Sequence, residues 1–461
     1  MAGIFMAISG IQLFILMATT PMYALDTNSY IRGILSWSVY HNPLSNIFIG
    51  ILSKMVENAW FIVSVQILVY AASSSILIQS IFKEIRWMIP AALFAGWEPV
   101  TMFYNLSLLS ESLFCSMTLL MVASGIRYFR SPGIQPALLF GVFAGLAFLA
   151  RLSGNLYVAL LFLIFFAVGI PFRKRLMHFG MAAGTYMLFY IFVWAGQSLI
   201  NDGALYTVKG RVLWDFSSSQ YSPRLVRSDS FNRLMAKRIL AADSLTGDRE
   251  LRREQAYLAY KDCLAEYEVA GNESGSIFSC DSLFGGAASQ IVSQKAGAAF
   301  FQFVADNLYD IHNRSYLEER FTPGMHFYQD ESEYHYLDSI MSRHYSLNLP
   351  EQSRKIPAIW RSLGFPTAWA TLVFYLWIAS LLLLLLIKIR GKLKWEILLP
   401  VFTVSLPVVF HLIYISYRLR FWGPVILLLL LSVLAQFYQF RKGGAGAGNA
   451  IGESDSTRQI L

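Results

Sequence analysis

The sequence predicts an all-α, polytopic membrane protein, and three observations carry that prediction. Of 461 residues, 56% are hydrophobic and 14% charged, against about 25% charged in an ordinary soluble domain. The apolar residues are bunched into runs of roughly 18 or more, the length at which a helix crosses a bilayer. Those runs mix Leu, Phe, Ile and Val without the period-two alternation of a barrel strand, and a helix satisfies its own backbone polar groups in lipid. This composition excludes an ordinary cytosolic enzyme and a disordered tail protein.

About ten spans are predicted, near 3–24, 58–81, 88–106, 112–126, 136–150, 155–171, 177–199, 367–387, 396–416 and 422–439. Only Leu152, Ser153 and Gly154 separate the fifth from the sixth, so those two runs read as two short spans or as one bent element. The first run lacks a basic flank and a small-residue cleavage site, and is expected to be retained. Lys and Arg near span ends set orientation. Lys83, Arg86, Arg127, Arg130, Arg173, Lys174, Arg175 and the 388–394 and 441–442 cations fall in one set of connections, which is therefore expected to be cytoplasmic together with both termini.

This topology places 200–358 outside. That stretch has a net charge of −4 and the rest of the chain +12, so the overall +8 belongs to the membrane part and its rim rather than to a nucleic-acid face. The expected organisation is a membrane module at 1–199, an external domain at 200–358, further membrane helices at 359–442 and a Gly/Ser-rich disordered tail at 443–461. Helical spacing marks 246–268 and 296–320 in the external domain. Cys263 and Cys280 are its two cysteines, and an oxidising exterior allows a bond between them without requiring it. His326, His335 and His344 recur beside acids, but they lack the spacing of a zinc site and read as part of an aromatic-rich binding surface.

Ionisable groups at the edge of the apolar slab are the informative ones. Asp26, Glu111, Arg151, Arg418 and Arg420 come from separate parts of the chain yet share one expected depth, the external surface. Each taken singly reads as an interfacial residue that pairs with a neighbour or a headgroup. Together they supply carboxylates for proton transfer and guanidinium forks for phosphate. Glu98 falls inside the third span and reads as hydrogen-bonded within the bundle.

Four pieces carry a family resemblance. They are Asp26 with Tyr30 and the His41–Pro43 segment; Trp97–Tyr104 followed by Ser110–Glu111–Ser112; Gly141–Ala150 closed by Arg151; and Tyr417–Pro424 with Arg418 and Arg420. In this order and spacing the chain resembles the GT-C class of polyprenyl-phosphate-dependent glycosyltransferases, in the branch of protein mannosyltransferases, aminoarabinose transferases and lipopolysaccharide-core transferases. The resemblance covers most of 1–200 and, more loosely, 367–440. It implies a GT-C-like catalytic module and transfer of a sugar from a polyprenyl-phosphate donor to a glycan, lipid or protein acceptor at the external face. With no retention signal visible, a bacterial inner membrane is expected rather than an endoplasmic reticulum.

By the same resemblance, Asp26 and Glu111 are the catalytic acids. Arg151, Arg418 and Arg420 are the donor-phosphate contacts, and His41, Tyr30 and Tyr104 belong to the acceptor region or support the site. His411, by its position near the outer end of its span, is either a hydrogen-bonder within the bundle or a support for the arginines. A divalent cation, Mg or Mn, stays open. The sequence departs from the family at Thr27, which stands where many relatives carry a second acid, and at Asn42, which interrupts a His-Pro-Pro segment. Two alternatives use the same architecture. An O-antigen-type polymerase or ligase would depend on external Arg and His rather than on Asp26 and Glu111. A lipid or solute transporter would favour internal repeats, broken helices and polar residues near the midplane.

Overall fold

The computed structural model describes residues 2–19, 21, 43–56, 58–108, 110–167, 169–200, 209–242, 258–260, 262–263, 273–312, 367–390, 395–413 and 427–438. These are about 90% helical and contain no β-strand. The N-terminal helices are α1 (Ala2–Thr19), α2 (Pro43–Met55), α3 (Ala59–Ile81), α4 (Ile85–Trp97), α5 (Pro99–Leu106), α6 (Ser110–Arg130), α7 (Ile134–Ala150) and α8 (Phe172–Ile200). After them come α9 (Lys209–Ser217), α10 (Asp229–Ala242), α11 (Glu273–His312), α12 (Thr367–Arg390), α13 (Trp395–Ile413) and α14 (Leu427–Tyr438).

Three of these helices are long and apolar enough to cross a membrane: α3, α6 and Phe172–Gly196 of α8. Shorter apolar stretches lie in α1, α7, 153–166, α12, α13 and α14. The predicted span at 88–106 is divided. Glu98 leaves the helical conformation, and its Oε2 accepts the Thr101 N–H at 2.7 Å, ending α4 and capping α5. Pro99 cannot continue α4's hydrogen-bond ladder, and an acid before a helix's first turn is favoured by its dipole. The run at 155–171 is also irregular. It forms a 3-10 turn (Leu152–Tyr157), one α turn (Val158–Leu161) and a second 3-10 turn (Phe162–Phe166).

Helices α6, α7 and α8 pack side by side as consecutive neighbours. Small residues permit that closeness. A Cβ on Gly141 would overlap the Ala182 backbone of α8, and one on Gly145 would overlap the Phe189 ring. Gly154 sits equally tightly, with the site of a Cβ 2.5 Å from the Ala147 carbonyl carbon. Stripes of small residues of this kind let membrane helices gain dispersion contact where lipid supplies no hydrophobic drive between them.

A second hydrophobic cluster is built from 209–291. Trp214 lies edge-on to Phe231 and Phe284, with centroids at 5.1 and 5.4 Å. Tyr221 borders it and donates to Asn232 Oδ1 at 2.9 Å, and burial pushes its phenol pKa up. Cys263 and Cys280 are bonded, with Cα atoms 5.9 Å apart, and both are buried in this cluster. The bond resolves the alternative that spacing leaves open. The predicted helix at 296–320 is the second half of α11, which kinks at Lys295 and is followed only to His312. Of 246–268, the described residues 258–260 and 262–263 are helical.

Two predictions follow from this packing. Gly141→Ala should lower stability by about 1–3 kcal/mol, the usual cost of overpacking, in thermal melts of detergent-solubilised protein. The matched Gly180→Ala, with open space around it, should be neutral or slightly stabilising. Replacing both Cys263 and Cys280 by Ser should cost the 209–291 cluster about 3 kcal/mol, as expected for a bond spanning 17 residues. Hydrogen exchange should show that loss there and leave α6 and α7 protected.

Candidate functional site

The site is built where an antiparallel helix pair ends. Ser107 and Leu108 follow α5, Ser110 opens α6, and Glu111 stands in the first turn of α6. Arg151 terminates α7: its backbone is extended and its N–H closes on the Ala147 carbonyl. Because α6 and α7 run antiparallel, the start of one meets the end of the other. An acid at a helix N-terminus and a cation at a C-terminus each complement the local dipole, so both charges are favoured at this junction before they touch.

They do touch. Arg151 Nη1 forms an ion pair with Glu111 Oε1. The same nitrogen donates to Ser110 Oγ at 3.3 Å, and Ser110 Oγ donates to Glu111 Oε2 at 3.3 Å. The Glu111 side chain is 3% exposed and that of Arg151 is 12%. The pair is thus nearly withdrawn from solvent, with Arg151 reaching the edge of the packed helices. In such surroundings a partner's loss leaves a buried charge uncompensated, at roughly 3–5 kcal/mol.

A chain of uncharged polar groups runs from this junction into the bundle. Ser112 Oγ donates to Asn105 Oδ1 at 2.7 Å, Asn105 Nδ2 donates to Gln12 Oε1 at 3.0 Å, and Gln12 Nε2 donates to the Ala95 carbonyl at 3.3 Å. Tyr70 donates to that same carbonyl at 3.0 Å, and Gln66 Nε2 to the Ser107 carbonyl at 3.0 Å. These bonds tie α1, α3 and α4 to the α5–α6 turn that carries Glu111. On the other flank, Tyr157 stacks on Phe114 with centroids 5.8 Å apart, and Tyr186 donates to Asn155 Oδ1 at 2.6 Å. The residues after Arg151 are thereby held against α6 and α8.

The structure brings together two of the residues singled out from sequence, Glu111 and Arg151. Tyr104 lies buried on α5, one turn before the Ser107–Ser110 link. His411 belongs to α13, while its side chain lies outside the described residues, as do Asp26, Tyr30, His41, Arg418, Arg420 and the histidines at 326, 335 and 344. Leu399 near the start of α13 meets Gly125 near the end of α6, and α13 also packs on Leu152–Tyr157. Hence α13 ends, at Ile413, at the same end of the bundle as the Glu111–Arg151 pair.

Sequence reasoning passed over the Gln12–Asn105–Ser112 chain and the role of Ser110. The signal was available: Gln12, Gln66 and Asn105 are polar side chains inside or beside apolar runs, where lipid tolerates them only with partners. Among the described residues, no three of His, Cys, Asp and Glu gather as a metal-ligand set. No protein-family model, curated protein or solved structure matches the chain.

The ion pair has a direct thermodynamic test. Glu111→Ala and Arg151→Ala should each destabilise the protein by about 3–5 kcal/mol. The double variant should cost at least ~1 kcal/mol less than their sum. Additive losses in chemical-denaturation midpoints would mean that the two side chains do not act as a unit.

Proposed function

We propose that the chain is a polytopic integral-membrane glycosyltransferase of GT-C type. It moves a sugar from a polyprenyl-phosphate donor to an acceptor at the external face of a bacterial inner membrane. The observation that carries this reading is the Glu111–Arg151 pair at the junction of α6 and α7. A carboxylate and a guanidinium share one nearly dry site, and α13, after which Arg418 and Arg420 come in sequence, ends at the same end of the bundle. About ten spans, cytoplasmic termini and an external 200–358 domain complete the proposed architecture. The disulfide within that domain supports its placement in an oxidising compartment.

In the proposed reaction an acceptor hydroxyl attacks the anomeric carbon from the side opposite the phosphate, with inversion. The new oxygen–carbon bond forms as the bond from that carbon to the phosphate oxygen breaks, and the polyprenyl phosphate leaves with the bonding pair. Asp26 takes the hydroxyl proton, and Glu111 supports that role and orients Arg151. Arg151, Arg418 and Arg420 hold the phosphate as its charge grows; bidentate guanidinium contacts are strongest where water is excluded. His41, Tyr30, Tyr104 and His411 line or support the acceptor side.

A second reading, a lipid or solute transporter, draws on one observation. The 85–106 run is broken at Glu98–Pro99, and a buried polar chain lies beside the break, as in discontinuous transporter helices. The two readings separate in proteoliposomes that hold a radiolabelled polyprenyl-phosphate sugar with an acceptor extract. Glycosyl transfer dependent on the acceptor is expected. Asp26→Asn and Glu111→Gln should each lower it by about 10²-fold or more. Label that moves across the membrane and is never transferred to acceptor would favour the transporter.

A further inference from the structure

The end of the bundle opposite the Glu111–Arg151 pair is strongly basic. Gln66 on α3 bonds Ser107 just before α6, so α3 and α6 run in parallel, and the turn after α3 lies beside the end of α6. Tyr128 and His178, both buried, meet at 3.2 Å and join the end of α6 to the start of α8. This juxtaposition collects Lys83, Arg86, Arg127, Arg130, Arg173, Lys174 and Arg175. Among the described residues at this end of the bundle there are two carboxylates, Glu84, which is engaged by Arg86 and by the Tyr438 hydroxyl, and Glu396 in the first turn of α13. Arg175 is spent on structure, since it donates to the Phe165 and Ile170 carbonyls. Arg127, Arg173 and Lys174 stand exposed.

Immediately along α8 from these cations lies an apolar wall. Phe172, Leu176 and Met177 are 66%, 52% and 46% exposed. Within the apolar window of α8 only 22% is buried, against 61% in α3 and 78% in α6. Cations above a bare hydrocarbon-like face match the shape of one ligand class, a phosphate-bearing amphiphile. A second copy of the chain fits poorly, because a twofold contact on this face would bring the same cations together.

We propose that the adjoining ends of α6 and α8 form a binding site for an anionic phospholipid. Arg127, Arg173 and Lys174 take the headgroup phosphate, and Phe172, Leu176 and Met177 bear the acyl chains. The site rests on the reading of α6 and α8 as membrane helices and is independent of sugar transfer. Basic clusters at membrane surfaces attract anionic lipid by an amount that grows with each Lys or Arg and fades with salt.

The test titrates phosphatidylglycerol, phosphatidylcholine or inorganic phosphate into the detergent-solubilised full chain. Thermal denaturation and native mass spectrometry serve as readouts. Phosphatidylglycerol should raise the melting temperature and stay bound in the mass spectrum, whereas phosphatidylcholine and millimolar phosphate should do neither. The R127Q/R173Q/K174Q variant should need roughly tenfold more phosphatidylglycerol, and R127K/R173K/K174R should respond like the parent. Should the charge-removing variant fail to fold, the parent decides alone: its stabilisation should be lost as salt rises from about 0.1 to about 0.5 M. Equal effects of both lipids, a shift by phosphate alone, salt-independent binding or a stable dimer closed over α8 would each overturn the site. A failed transfer assay leaves every one of these outcomes unchanged.

Discussion

Two opposite charges removed from water impose the central constraint on this molecule. Each costs several kcal/mol to desolvate, and only close, well-satisfied contact offsets it. Glu111 and Arg151 meet that condition because the start of α6 and the end of α7 are held at one level. Ser110 bonds both partners, and the helix dipoles favour each sign where it stands. Much of the neighbouring structure is explained by what this junction requires. The Gln12–Asn105–Ser112 chain fixes the α5–α6 turn from one side. The Phe114–Tyr157 stack and the Tyr186–Asn155 bond fix the segment after Arg151 from the other.

The same pair admits a structural and a chemical role, and the two do not compete. The ion pair fixes a carboxylate and a guanidinium side by side at one junction, the two group types that proton transfer and phosphate binding use. It also means that any phosphate reaching Arg151 does so where Glu111 already stands. Under the proposed transfer, the donor phosphate and Glu111 would then share or exchange the guanidinium, and donor binding would be coupled to release of the carboxylate.

Helical class and apolar runs were legible in the sequence because both follow from composition and length, which need no partner to be read. Glu111 and Arg151 were legible for a related reason: charges at the edge of an apolar run must be accommodated, whatever the fold. The break at Glu98 was not read, since Pro99 can be tolerated near a span end and the deciding hydrogen bond to Thr101 is a matter of local backbone geometry. The irregular path of 152–166 was likewise hidden. From Val158 on its residues are as apolar as those of a regular span, and the contacts that hold Tyr157 to Phe114 and Asn155 to Tyr186 are not visible in composition. The bond between Cys263 and Cys280 depended on proximity, which spacing alone does not give.

The contact between α7 and α8 has a consequence for traffic within the bilayer. At Gly141 and Gly145 the two helices are so close that not even a methyl group fits between them. A hydrocarbon tail is several times wider than that gap, so the seam is sealed along its length there. On the proposed reading of the chain as a glycosyltransferase with α7 and α8 in the bilayer, a lipid-borne donor bound for Arg151 would approach elsewhere than through this seam. On that reading, the glycines that draw two helices together would also bear on the side from which such a donor arrives.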